Sequence, residues 1–424
     1  MFGGKKLIES LEETAPKQFD VLMYLYRVRG AIAEQIVFSV WNVPSHSSSY
    51  DSTRRSVYQI LSKLTEKRLV KRTSRDFKEG GVYYLTAFGY DEMIAYLDLQ
   101  PSYIGKGFNK DNGYFDYSLA TPTLINIDHF LKQVDVFNTY QVLEKNYPGV
   151  FDYRDNRYAA TAYKLSNEGK AKFRSDGEIK VLDELYELEV DRATERGEAL
   201  VNKFSGYNRY FQWLTKNNMP LPKGIIVIIP NRGKRFQNQL VNASEQVRFQ
   251  SFYQAYTSTC KDFVDKVDLL VTELRHFESR LQLMIPNTRL EFERNALSYF
   301  KSFSTNTKPV AIGEVVGYKI AVVKRGQESH YYFVINGEGY QSEPWGKFFK
   351  VYQKFKREHK HVFLVLYFST FYPVPPLKGF DLQQVRDIEE RRFYEHTYSV
   401  DLGASTPIWY NSNREILEQP PFSD

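Results

Sequence analysis

The sequence predicts an α+β protein of several domains, in which a small helical domain precedes two regions where strands and helices alternate. Three amphipathic helices and two short alternating strands fall between residues 19 and 86. Strands of the buried type alternate with helices between residues 124 and 274, and again between 315 and 367. With 424 residues, of which 42% are apolar, the chain is long enough for two or three separate cores.

Composition excludes several classes of protein. The sequence contains no run of about 18 apolar residues, and MFGGKKLIESLEE lacks the apolar core of a signal peptide, so we expect a cytoplasmic protein with no membrane partner. The single cysteine, Cys260, excludes an internal disulfide and a cysteine-based zinc cluster. No G-x-x-x-x-G-K-[ST] motif is present, so nothing indicates a nucleotide-driven motor.

The first predicted domain, residues 1–98, has apolar residues at helical spacing in two helices, and a third helix begins near Asp51, with Asp51 or Ser52 as its cap. Strands at 69–73 and 82–86 flank the turn Glu79-Gly80-Gly81. Three helices and a β-hairpin in this order are typical of a winged helix-turn-helix, whose third helix enters the major groove of DNA.

The charge of this domain supports a DNA partner. Residues 51–78 contain nine Lys/Arg against three Asp/Glu, a surplus of six that equals the net charge of the whole chain. A localised cationic stripe favours a polyanion over a merely solvated helix face. The predicted DNA-contacting residues of the third helix and the wing are Ser52, Thr53, Arg54, Arg55, Gln59, Lys63, Lys71, Arg72, Arg75 and Lys78.

Residues 99–119 have no apolar period and are predicted to be a linker, after which the second domain spans residues 120–280. Its notable feature is acidic residues on strands that should be buried. Asp176 opens one predicted strand and Glu189 closes the next, so a hairpin would bring both to one end of the sheet. Two close carboxylates need a cation between them, and a hard ion such as Mg²⁺ or Mn²⁺ prefers such oxygen ligands.

The following helix, at about residues 196–216, carries Lys203 and Tyr207 four residues apart, on one face. A cation at this position could neutralise charge that develops on a phosphate. A second interpretation remains open, in which Glu189, Asp191 and Arg192 form only a structural ion-pair cluster at the strand end.

The order D…ExD…K…Y on strand, strand and helix resembles the PD-(D/E)xK nuclease core. It also resembles the replication-relaxation family, akin to the MOBC class of conjugative relaxases, whose members pair a winged helix with such a restriction-endonuclease-like α/β core. The resemblance covers roughly residues 15–275, with Leu188–Glu195 as its most specific string. It implies a catalytic group of Asp176, Glu189, Asp191, Lys203 and Tyr207.

One departure from the nuclease pattern matters. The lysine that usually follows the glutamate by two residues is Asp191 here, so either Lys203 replaces it or the core binds DNA without cutting it. His129 occupies the position of a histidine seen in the family, but a lone histidine on a helix is more often a packed or capping residue than a catalyst.

The C-terminal domain, residues 286–424, is predicted to contain strands at 315–323 and 331–335, a helix at 343–359 and a strand at 362–367. This succession is compatible with a degenerate second copy of the core and equally with chance similarity, because strand-helix-strand units are common. His359-Lys360-His361 lacks the apolar central residue of the HUH relaxase motif and is predicted to end the helix.

The resemblance implies a DNA-binding protein of a plasmid or integrative element that recognises an origin-type site and nicks or relaxes it with a metal ion. Expected partners are double-stranded DNA, single-stranded DNA at a nicked origin, replication or conjugation proteins, and a second copy in a homodimer. The alternative is a non-catalytic replication initiator or transcriptional regulator with the same fold, and Asp191 in place of lysine supports it.

Overall fold

The structure is a computed structural model that describes residues 4–73, 81–98, 127–156, 161–164, 170–191, 197–229, 243–264, 266–303, 310–337, 343–369, 397–411 and 415–422. The chain divides into two compact units. Unit 1 comprises Met1–Ala162 and Lys170–Lys180, and unit 2 comprises Tyr163–Gly169 and Val181–Asp424. Within the described ranges, no helix combines the length and apolar character that a membrane span requires.

Unit 1 begins with the three predicted helices and the two predicted short strands, together with one further helix before them and one after them. These are α1 (Gly4–Thr14), α2 (Pro16–Val28), α3 (Ala33–Trp41), α4 (Tyr50–Glu66), β1 (Val70–Arg72), β2 (Tyr83–Leu85) and α5 (Ala87–Tyr96). Strands β1 and β2 are antiparallel, with Lys71 opposite Tyr84. The turn between them, with Arg75 and Lys78, lies outside the described residues.

Helix α4 buries its apolar face and exposes its polar one because its apolar residues recur at helical spacing. Val57, Leu61 and Leu64 are buried. The expected cap at Asp51 or Ser52 is wrong, because the helix begins one residue earlier, at Tyr50. Ser49 is its N-cap without a side-chain hydrogen bond, while the Ser52 hydroxyl donates back to the Ser49 carbonyl at 2.8 Å.

The rest of unit 1 contains α6 (Ile127–Asn146), β3 (Phe151–Asp155), β4 (Thr161–Lys164, across the unit boundary), β5 (Lys170–Phe173) and β6 (Gly177–Val181). Helix α6 is joined to the N-terminal helices by a buried and a partly buried hydrogen bond: the Tyr24 hydroxyl donates to Asn138 Oδ1 at 2.8 Å, and Gln35 Nε2 donates to Asp135 Oδ1 at 2.7 Å. Burial raises the pKa of Asp135 to about 6. Helices α1 to α6 thus belong to the same unit, and the predicted domain bounds stay a prediction.

Unit 2 begins with a parallel sheet flanked by helices: β7 (Glu184–Val190), α7 (Glu198–Lys216), β8 (Gly224–Ile229), α8 (Ala243–Thr259), β9 (Asp268–Glu273), α9 (Leu274–Met284) and α10 (Pro286–Ser302). Strands β7, β8 and β9 are parallel neighbours, and Glu189, Val227 and Val271 lie in register. Every residue of β8 and β9 is buried, as expected for parallel strands covered on both faces.

A second sheet completes unit 2. Its elements are β10 (Ala311–Val315), β11 (Tyr318–Arg325), β12 (Glu328–Asn336), α11 (Glu343–Glu358), β13 (His361–Phe368), β14 (Thr397–Asp401), β15 (Ile408–Tyr410) and β16 (Ile416–Leu417). The seven strands lie side by side in chain order, and β12, β13 and β14 are parallel. The strand predicted at 315–323 is present as β11 but begins at Tyr318, because Val316 and Gly317 both have positive φ and turn the chain between β10 and β11.

Candidate functional site

Strand β7 presents an acidic face inside unit 2. Because side chains alternate along a strand, Glu187, Glu189 and Asp191 at its carboxyl end share one face. Their exposed fractions are 1%, 6% and 1%, so each carboxylate must be compensated by polar partners. The sequence indicated Glu189 and Asp191 but not Glu187. Ligand sites in parallel sheets lie at the carboxyl ends of the strands, which is where this face ends.

Glu189 receives two side chains from α7. Lys203 Nζ lies 3.0 Å from Glu189 Oε2, and the Tyr207 hydroxyl donates to Glu189 Oε1 at 2.6 Å. Both partners can reach one carboxylate because a spacing of four residues places them on the same side of the helix. Tyr207 is also buried among the aromatic rings of Phe204 and Phe211, which fixes its hydroxyl beside the glutamate.

Asp191 forms a buried ion pair with Arg248 of α8, whose guanidinium group contacts Asp191 Oδ2. Arg248 also lies over the ring of Phe252, 4.9 Å from its centroid. The other oxygen, Asp191 Oδ1, is buried and has no hydrogen-bond partner within the part of the chain that the structure describes. Asp191 therefore brings a second negative charge and a partly unsatisfied oxygen to the end of β7.

Asp176 lies in unit 1 with partners from α6. His129 Nε2 lies 3.0 Å from Asp176 Oδ2, and Gln133 Nε2 donates to Asp176 Oδ1 at 2.9 Å. His129, which the sequence favoured as a packed residue, thus orients the carboxylate of a predicted site residue. Asp176 and Glu189 belong to different units, and the prediction that they share one ion stays a prediction.

The donor set of unit 2 fits a hard divalent cation in type and charge. A carboxylate oxygen has two acceptor positions, so the bonds from Lys203 and Tyr207 leave Glu189 able to ligate. Asp191 Oδ1 supplies an unsatisfied buried oxygen two residues away on the same face. Mg²⁺ and Mn²⁺ prefer such oxygens. Lys203 would compete with such an ion for Glu189 in this arrangement, so binding a metal would require its ammonium to move away from Glu189 Oε2.

The predicted DNA-contacting residues on α4 and β1 differ in their exposure and in whether an ion pair within the domain compensates their charge. Arg54 Nη2 pairs with Glu34 of α3 at 2.8 Å, so its charge is compensated within the domain. Arg55, Gln59, Lys63 and Lys71 have exposed side chains. Ser52 and Arg72 are also exposed, Thr53 is half-buried, and Arg75 and Lys78 lie outside the described residues. The available positive charge on α4 therefore comes from Arg55 and Lys63.

The C-terminal sheet repeats the architecture of the site but not its contacts. The unit β12, α11, β13 joins parallel strands through a helix, as β7, α7, β8 does. Tyr352 lies on α11 as Tyr207 lies on α7, but its hydroxyl donates to the backbone carbonyl of Val362 at 3.3 Å. The predicted duplication stays a prediction.

Gln133 and Arg248 were missed by sequence reasoning, although each leaves a signal. Gln133 follows His129 by four residues, which gives two polar side chains on one face of a long amphipathic helix. Arg248, Phe252 and Tyr256 recur every four residues, so an arginine stands in line with two buried aromatic residues. A charged residue in such a row needs a buried counter-ion.

Comparisons with known proteins find a similarity between part of this chain and one family. The family described as replication-relaxation matches residues 25–221, from α2 to just beyond α7, and so includes β7, Lys203 and Tyr207. No curated protein sequence matches significantly. The crystal structure of protein VC1899 from Vibrio cholerae is similar at a TM-score of 0.25 and 11% identity, and the match covers 68% of this chain and 54% of that one. The chain thus spans about half the length of that protein.

Proposed function

We propose, on the premise that residues 25–221 belong to the replication-relaxation family, that the protein recognises an origin site on mobile-element DNA and nicks one strand with a divalent metal ion. The family match confirms the predicted resemblance and indicates a role in the replication or relaxation of such DNA. The observation that carries the proposed nicking is the 3.0 Å contact of Lys203 with the buried Glu189. Lys203, on helix α7, thus places a cation beside the glutamate, whereas the lysine of a nuclease core lies on the strand itself.

We assign DNA recognition to helices α2–α5 and the β1–β2 hairpin, which we interpret as a winged helix. Helix α4 follows α3 as the recognition helix of such a domain does. Its outer face exposes Arg55, Gln59 and Lys63, a mixture of cations and an amide that suits phosphates and base edges. Lys71 on β1 adds a cation, with its ammonium 5.0 Å from the centroid of the Tyr84 ring.

The combined replacement of Arg55, Lys63 and Lys71 by Ala is expected to weaken DNA binding and flatten its salt dependence. Each lost phosphate contact lowers the slope of log K against log salt by about 0.9, so three contacts account for about 2.7. Binding to a labelled origin duplex at several salt concentrations measures the slope. The control removes the same charge from unit 2, as Lys324, Lys354 and Arg357 to Ala. A slope unchanged in the first variant but lowered in the control would place the DNA surface in the C-terminal third.

The proposed chemistry is hydrolytic cleavage of one phosphodiester bond. Glu189 and Asp191 would hold Mg²⁺ or Mn²⁺, and Asp176 is the further ligand that the sequence predicts. When bound, the ion supplies an activated water and Lewis-acid stabilisation of the phosphate. Lys203 donates hydrogen bonds to a phosphate oxygen as charge develops there. Tyr207 holds the second oxygen of Glu189, so that the carboxylate keeps its orientation while Lys203 moves.

The conversion of supercoiled plasmid to the open circular form tests this function. The plasmid carries the DNA that flanks the coding gene, and the matched control plasmid lacks this insert. We expect opening with Mg²⁺ or Mn²⁺ and none with excess EDTA. A protein that binds the insert tightly but leaves it closed under every metal condition is a binder, not a nuclease.

DNA binding without cleavage is the second candidate function, and one observation favours it. Asp191 is paired with Arg248, and both oxygens of Glu189 already have partners, so the acidic face has the character of a closed structural network. In that case the same fold positions origin DNA for partner proteins, as a replication initiator or a transcriptional regulator does.

A further inference from the structure

A second group of potential ligands lies in the C-terminal sheet, apart from the acidic face of β7. Glu328 and His330 are two residues apart on β12, so their side chains lie on one face of the strand. His361 opens β13 and is the direct register partner of His330 in the parallel pair. One nitrogen of each histidine and one oxygen of Glu328 all lie within 4.8 Å of one another.

The two imidazole rings are held in a shared orientation by stacking. His330 and His361 have ring centroids 4.4 Å apart and planes 5° apart. Phe363 lies on the other side of His330 at 5.8 Å and 6°, and Tyr332 stacks on Phe363 at 4.8 Å, so four flat rings form one row. The rings are therefore positioned by packing.

Ring nitrogens in this cluster lack the hydrogen bonds that buried polar atoms usually have. His330 Nδ1 and His361 Nε2 are buried and form no hydrogen bond with any residue that the structure describes. His361 Nε2 does lie 3.1 Å from Glu328 Oε2, in contact distance but without hydrogen-bond geometry. A metal ion would satisfy the unpaired His330 nitrogen and could bind the His361 nitrogen together with the carboxylate that it contacts.

We propose that Glu328, His330 and His361 bind one borderline divalent cation, for which Zn²⁺ is the best fit, with a fourth position open to water. Two imidazoles and a carboxylate form a ligand set that Zn²⁺ accepts, whereas Mg²⁺ and Ca²⁺ prefer oxygen ligands alone. Ligand atoms around a tetrahedral Zn²⁺ lie about 3.3 Å apart, since each bond is about 2.0 Å. Because an imidazole nitrogen binds a metal in the plane of its own ring, binding requires one of the two stacked rings to turn out of the stack. The exposed Glu328 then closes on the ion.

The ion would join the β11–β12 turn to the start of β13. His361 belongs to the sequence His359-Lys360-His361, but that tripeptide is not itself the site. Helix α11 ends at Glu358, and His359 packs against Tyr331 and Phe355, with ring centroids 4.4 and 4.1 Å away. Lys360 Nζ lies 3.5 Å from Glu328 Oε1 and competes with a cation for this carboxylate.

Zn²⁺ titration of the tag-free full chain, after removal of metal with EDTA, tests the site in competition with a chromophoric chelator. We expect one equivalent to bind with a dissociation constant below about 10 µM. Because binding stabilises the folded state, saturating Zn²⁺ should also raise the Tm. His330→Gln and His361→Gln should each weaken binding at least tenfold. His359→Gln is the matched control and should bind as the wild type does, because its ring packs against Tyr331 and Phe355.

Substitutions at two exposed residues distinguish the loss of a metal ligand from a loss of stability. Glu328→Gln should weaken Zn²⁺ binding, whereas Lys360→Met should tighten it severalfold, because the competing ammonium is gone. A loss of stability cannot produce a tighter site, so these opposite changes identify the ligands. Wild-type protein that takes up no equivalent of Zn²⁺, or Gln variants of the two histidines that bind as the wild type does, would overturn the proposal. These experiments do not measure plasmid nicking, so their outcome for the Zn²⁺ site is independent of the proposed nuclease activity.

Discussion

Replacing Lys203 by Met is expected to lower the nicking rate about 100-fold or more, with little change in DNA affinity. The methionine keeps an unbranched apolar stem of similar length but removes the ammonium that lies 3.0 Å from Glu189. A contact that strengthens only in the transition state contributes to the rate and little to ground-state binding. Single-turnover nicking of the origin plasmid and filter binding of the same DNA measure the two quantities.

Two controls separate a lost transition-state contact from a disturbed site. Lys216→Met removes an exposed lysine from the last turn of the same helix and should nick at the wild-type rate. Tyr207→Phe removes the 2.6 Å bond to Glu189 and should slow nicking less than Lys203→Met does. If Lys203→Met loses DNA affinity and rate in parallel, Lys203 is a phosphate contact in the ground state and the binder is the better description.

Replacing Arg248 by Met is expected to destabilise unit 2 by about 3 to 5 kcal/mol, because it leaves the buried Asp191 carboxylate without its counter-ion. The double variant Asp191→Asn with Arg248→Met removes both charges and should recover most of this loss. Urea unfolding, monitored by circular dichroism, measures this loss as a shift in the midpoint of the unfolding transition of unit 2.

The matched control for this pair is a surface ion pair in the same unit. Lys319 and Glu314 are in contact and about half exposed, so Lys319→Met should cost less than about 1 kcal/mol. Equal losses in the two single variants would mean that Asp191 and Arg248 are solvated in solution. A double variant no more stable than Arg248→Met would mean that packing, and not the buried charge, is the reason for the loss.

Apolar spacing was sufficient to predict most of the helices and strands. Strand β8 is a run of six apolar or glycine residues, and α4 repeats its apolar residues at helical intervals, so each element is specified by its local sequence. The contact of Lys203 with Glu189 could also be anticipated, because fourteen residues separate them along one strand-loop-helix connection.

Contacts between distant segments could not be predicted in the same way. Arg248 is 57 residues from Asp191, and the pairing depends on how α8 packs against the end of β7. The His330 and His361 pair depends on the register of two parallel strands, and a shift of one residue would place the rings on opposite faces. Without an alignment, a single sequence does not indicate such a register.

The strand order of the C-terminal sheet bears on how the chain is made. Because β10 to β16 lie side by side in chain order, each strand pairs with one that has already left the ribosome. The sheet can therefore assemble vectorially during translation, which takes roughly 5 to 20 s for these residues at about 5 to 20 residues per second. Truncation from the C-terminus would remove strands one at a time from one edge of the sheet, β16 first, and leave the antiparallel pair β10 and β11 to the last.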